Sequence, residues 1–161
     1  MLEKFKKKLC KKICKKKPLR DIVLVFPYNT KEDTLMLIEE YIHHYDRAFW
    51  KFVSGGIDKQ DKDYLTHAHE ELAEEMGMQT DAMYHFHSTE KVFGMRSIHC
   101  FVAENPVMMK NPPENPDTDI ITQSKWVNRD EFQSTIDTKE LIWNEGAMTA
   151  LQIFRNYEKK K

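Results

Sequence analysis

Two hydrophobic periods divide this chain into short strands and amphipathic helices. Asp21–Pro27 is an apolar, β-branched run that predicts a strand. Asn29–Asp33 reads as a turn and Thr34–Tyr41 as a second strand, so the pair predicts a hairpin. His43–Arg47 reads as a loop, and Phe49–Val53 as a strand leading into Gly55 and Gly56. Lys62–Met76 has helical spacing, with Asp63 placed to cap it. Met83–Thr89 and Ile98–Glu104 predict further strands, with Tyr84 and Phe86 on one face and His85 and His87 on the other. Asn105–Thr118 is rich in proline and polar residues and predicts a loop. Ile120–Val127 predicts a strand and Arg129–Phe132 the start of a short helix. Lys139–Tyr157 predicts a longer helix with the stripe Leu141, Ile142, Ala147, Leu151 and Phe154. Strands with helices on both sides predict an α/β fold, a mixed sheet in an α/β/α sandwich.

The first 19 residues follow a different pattern. Leu2, Phe5, Leu9 and Ile13 line up at helical spacing, lysines cover the rest, and Pro18 should stop the helix near Lys17. A basic amphipathic helix of this kind suits an anionic membrane surface or RNA. Its alternative is packing on its own domain or on a second copy. The expected organisation is an arm over residues 1–19 and one domain over 20–161.

Composition supports that division. The chain has 161 residues, 40% of them hydrophobic and 11% aromatic, enough for one ordinary core. The net charge of −1 conceals an asymmetry. Residues 1–20 hold ten Lys or Arg and one Glu, and the other 141 hold 15 basic and 25 acidic residues. An acidic body argues against a general nucleic-acid binder. Cys10, Cys14 and Cys100 form no zinc or redox spacing, and free thiols suit a cytoplasmic setting. No apolar run is long enough to predict a transmembrane helix.

Chemistry concentrates in the segment from Ser54 to Met78. With Glu71 at zero on a helical wheel, Glu74 falls near about 300° and Glu75 near about 40°. Leu65, Ala68, Leu72 and Met76 fall between about 60° and 140°. One stripe is apolar, and the stripe beside it carries three acids. Clustered carboxylates repel one another unless a cation sits among them. Oxygen-rich clusters suit Mg²⁺ or Mn²⁺, which also take waters and phosphates. An exposed acidic helix face is the plain alternative.

The spacing favours the first. Gly56, Ala68, Glu71, Leu72, Glu74, Glu75, Gly77 and Met78 resemble the signature of the Nudix hydrolases, in order and in distance. Leu37–Tyr41, Trp50–Asp58, His99–Asn105 and Trp126–Phe132 are similar to the ADP-ribose pyrophosphatase-like branch of that family. Two positions depart: Lys62 stands where the signature has glutamate, and Glu70 where it has arginine. The charges are exchanged together, which suggests an ion pair between Lys62 and Glu70 with its direction reversed. A double loss is the alternative.

The resemblance implies the Nudix sandwich and a metal-dependent hydrolase. Such an enzyme cleaves the diphosphate linkage of a nucleoside diphosphate joined to another group, such as ADP-ribose or a nucleotide sugar. It implies Glu71, Glu74 and Glu75 as metal ligands, with the carbonyl of Gly56 completing the set. The proton acceptor is Glu74 or an acid of the Glu114–Asp119 loop, where Asp117 and Asp119 are equal candidates. Arg47, Trp50, Phe52, Phe93 and Arg96 are candidate substrate contacts. His67 lies among the acids on the wheel but reads as an exposed residue of the helix start. A homodimer is a candidate assembly. The other function class is a Nudix-fold nucleotide-binding or regulatory module without turnover.

Overall fold

The computed structural model describes residues 20–57, 63–92, 96–116, 120–142 and 144–158. The expected basic arm, Lys62, Phe93, Asp117 and Asp119 lie outside the described residues.

The first strand, β1 (Ile22–Asn29), organises the sheet. It turns through Asn29, whose Oδ1 accepts from Lys31 N–H at 3.0 Å, into β2 (Thr34–Ile42). Then follow β3 (Arg47–Lys51), β4 (Val53–Gly56) and the helix α1 (Tyr64–Met76). Two short strands, β5 (Met78–Gln79) and β8 (Val107–Met108), pair with each other. Between them lie β6 (Met83–Val92) and β7 (Arg96–Glu104). The chain continues through β9 (Ile120–Val127), α2 (Arg129–Asp137) and α3 (Asn144–Glu158).

Seven strands form one sheet, ordered β3-β2-β1-β7-β6, with β4 beside β1 and β9 beside β2. β1 and β7 are parallel and the other pairs antiparallel, so the sheet is mixed. One edge of β1 is shared: Ile22–Val25 pair with β4, and Tyr28 and Asn29 pair with β2. That fork brings the Ser54-Gly55-Gly56 segment back onto the centre of the sheet.

Both sheet faces are covered. On one, Ile22, Leu24, Phe26 and Tyr28 pack with Phe52, Phe132, Ala150, Ile153 and Phe154 beneath α2 and α3. On the other, Val23, Val25, Ile38 and Val53 pack with Ala68 and Leu72 of α1. This is the α/β/α sandwich that the pattern predicts. No helix among the described residues is long and apolar enough to cross a membrane.

Three local expectations change. Lys139 has φ of 58°, outside the helical region, so the last helix does not begin there. Instead Leu141 bridges to Trp50, with Trp50 N–H donating to Glu140 O and Ile142 N–H to Trp50 O, each at 2.9 Å. The register of β6 shifts between His85 and His87, which breaks the expected alternation there. The proline-rich loop after β7 contributes the short strand β8.

Phe52 lies 4.4 Å from Phe26 and 5.8 Å from Phe132, centroid to centroid, and is 3% exposed. It is a core residue of the face opposite α1. Phe52→Ala is expected to cost about 3–5 kcal/mol of stability through the cavity it leaves. Urea unfolding checks this, and a loss under about 1 kcal/mol would mean the ring is not packed as described.

Candidate active site

Local signals position α1 at both ends. Asp63 is the N-cap, and its Oδ1 accepts from Thr66 N–H at 2.8 Å. Gly77 closes the helix with φ of 62°, a conformation open to glycine, and donates to Ala73 O at 2.8 Å. Ala68 and Leu72 are fully buried against the sheet. Glu71 and Glu75, on adjacent turns at the edge of that apolar stripe, are therefore carried to the sheet side of the helix.

The sheet beneath is arranged by register. Gly55, Val23, His99 and Ser88 form one row across β4, β1, β7 and β6. A Cβ on Gly55 would overlap the Glu71 carboxylate, so the glycine leaves the space that the acid occupies. Gly56, the glycine of the signature, is exposed and pairs with Ile22. The residue against Glu71 is thus Gly55. At the other end of the row, Tyr64 stacks on His99 with centroids 3.8 Å apart. His99 Nδ1 lies 2.8 Å from Ser88 Oγ, which is also 2.8 Å from His85 Nε2. Burial holds His99 below its ordinary pKa, while Asp21 opposes the fall.

Glu75 is the buried acid of the helix, with a side chain 4% exposed. Ser54 N–H donates to its Oε2 and Lys51 Nζ to its Oε1, each at 3.1 Å. Lys51 also donates to Glu40 Oε2 at 2.6 Å. Burial pulls the Lys51 pKa down, but Glu75 and Glu40 outweigh it and hold the ammonium charged. Lys51 thus bridges two carboxylates, one from β2 and one from α1. Burial pushes Glu75 up to about 6, from an ordinary 4.5; Lys51 and Ser54 N–H draw it back only in part.

The other candidates are dispersed. Glu74 and Glu70 are partly buried on α1, and His67 is buried, with its Nδ1 4.0 Å from Glu70 Oε2. His67 is thus not the exposed helix-start residue that the sequence suggests. Trp50 is 8% exposed in the core, with Lys125 Nζ 4.0 Å from its ring centroid. Arg47 lies over Phe49 at the opposite end of β3 from Lys51. Arg96 opens β7, and Glu114 is exposed on its loop. Lys51, Glu40, His99 and Ser88 are absent from the sequence-based set. The available signal was Lys51 itself, a charge between Trp50 and Phe52 in a strand, on the same face as the buried Val53.

A divalent cation suits this donor set. Glu71 rests in a cradle that a side chain at position 55 would fill, and Glu75 is a second, buried carboxylate one turn along the same helix. Among the described residues no three His, Cys, Asp or Glu side chains converge into a metal site by themselves.

A model of the NUDIX domain matches residues 18–147. No curated protein matches the chain. Among solved structures, a crystal structure of an ADP compounds hydrolase matches with a TM-score of 0.69. It is 18% identical, over 88% of this chain and 74% of that one. A MutT structure, from work on Aliivibrio salmonicida and Vibrio cholerae, matches with a TM-score of 0.63. It is 14% identical, over 85% of this chain and 98% of that one. At these identities the likeness is one of fold.

The raised Glu75 makes a stability prediction. The folded chain binds this proton more tightly than the unfolded chain, so between about pH 4.5 and 6 it takes up more protons. In metal-free buffer, acidification from about pH 7 to about 4.5 should therefore stabilise the wild type relative to Glu75→Gln. The gain should reach up to about 2 kcal/mol. Urea unfolding of both at the two pH values checks it, and identical pH dependence would refute it.

Proposed function

Because this chain belongs to the Nudix family, we propose that it is a Mg²⁺- or Mn²⁺-dependent hydrolase. Its proposed substrates are nucleoside diphosphates joined to another group, such as ADP-ribose or a nucleotide sugar. The observation that supports this reading is Glu71 seated on Gly55, with the buried carboxylate of Glu75 one turn along α1. The name of the ADP compounds hydrolase with a similar fold supports the substrate class.

Glu71, Glu75 and Glu74 would hold the cation, with backbone of the Gly55-Gly56 segment. When bound, a divalent cation offsets phosphate charge and acidifies a coordinated water. The chain supplies the rest. Burial fixes Glu75, Gly55 leaves the space that Glu71 occupies, and the sheet walls off one side of the helix. Glu74 is the proposed proton acceptor within the described residues, and Asp119 remains the candidate from the loop before β9. Arg96 is a candidate phosphate contact. The Lys51 hold on Glu75 favours the second reading, a nucleotide-binding module without turnover, because it ties up a proposed ligand.

The test is a panel of ADP-ribose, nucleotide sugars, dinucleoside polyphosphates, NADH and nucleoside triphosphates with either metal. Turnover of at least one diphosphate is expected. Tight nucleotide binding with no turnover across the panel would favour the binding module. Glu75→Gln should lower kcat about 100-fold or more with little change in KM, because its charge counts most in the transition state. Unchanged kcat in this variant would remove Glu75 from the ligand set. Gly55→Ala should displace the Glu71 carboxylate and weaken Mn²⁺ binding about 10-fold or more, read by calorimetry. Wild-type affinity in this variant would mean that Glu71 does not need its cradle.

A further inference from the structure

Lys51 is a charged side chain where burial alone disfavours it. It is 10% exposed and lies on the α1 face of the sheet, directly across from Ile38. Buried charges persist when paired and hydrogen-bonded. Lys51 has two such partners from two elements, Glu40 at 2.6 Å on β2 and Glu75 at 3.1 Å on α1. The remaining oxygen of Glu75 accepts from Ser54 N–H. Both oxygens of this acid are therefore engaged by the chain itself, one of them by a full positive charge.

We propose that Lys51 is a built-in cation of the carboxylate cluster, which shares Glu75 with the incoming divalent ion and weakens the ion's binding. This inference rests on the metal-dependent reading of the site. An ammonium in contact with a ligating carboxylate repels a second cation at that carboxylate and withdraws its charge. The same contact offsets the repulsion between buried Glu75 and partly buried Glu40 when no metal is present. Lys51 thus trades metal affinity for a folded metal-free state. The cation then binds best when a diphosphate brings further negative oxygens with it.

The test measures Mn²⁺ binding directly, by the electron paramagnetic resonance signal of free Mn²⁺, together with melting temperature. Lys51→Gln should bind Mn²⁺ at least about tenfold more tightly than the wild type. Its metal-free melting temperature should fall, and Mn²⁺ should recover more of it than in the wild type. Lys51→Arg keeps the charge and should stay near wild-type affinity. If Lys51→Gln does not fold, the double variant Glu40→Gln/Lys51→Gln removes the pair together and should keep the gain in affinity. Equal or weaker Mn²⁺ binding in the folded neutral variants, with binding by the wild type, would overturn this inference alone. A gain in Lys51→Arg as large as in Lys51→Gln would also overturn it. Absence of Mn²⁺ binding in the wild type and all variants would overturn this inference and the metal-dependent reading together.

Discussion

Every residue from Ile22 to Tyr28 is buried, and successive side chains enter two separate cores. A strand in that position needs cover on both faces and hydrogen bonds on both edges. The faces are covered by α1 on one side and by α2 and α3 on the other. One edge is satisfied by β7 and the other is divided between β4 and β2. The division matters most for the site. It places Gly55 next to Val23 in the sheet, under a helix whose own apolar stripe must lie on the same surface. Glu71 meets Gly55 because both are held to β1 by independent requirements.

The electrostatics follow from that packing. Carboxylates at the edge of a buried stripe cannot all reach solvent. Glu75 is the extreme case, and the chain answers with one lysine and one backbone N–H. The same lysine serves Glu40, so one ammonium ties α1 to β2 as well as to its own strand.

The sequence was legible where local chemistry decides the outcome. Asp63 and Gly77 mark the ends of α1 because a cap and a left-handed residue act within one turn. The wheel places Glu71 and Glu75 at the border of the apolar stripe, which is where they stand. Their depth was not legible, because it depends on how far the helix settles onto β1 and β4. Lys51 and Glu40 are eleven residues apart on two strands, and only the register of β2 with β3 makes them neighbours. Leu141 has the spacing of a helix residue, but the positive φ at Lys139 and the bond partners at Trp50 place it beside a strand instead. The wheel places His67 among the acids, yet its side chain is buried, because burial depends on contacts beyond the helix's own surface.

The parallel pairing of β1 with β7 has a consequence for how the molecule assembles. Asp21 Oδ1 accepts from Ser97 N–H across a separation of 76 residues in sequence. Closing so long a loop costs entropy before its contacts repay it. The hairpin of β1 and β2, and α1 with its caps, are local and have no such barrier. The row from Gly55 to Ser88 spans the long closure, since Val23 and His99 belong to the two distant strands. The signature helix rests on local contacts, while the surface against which it packs requires that long-range closure.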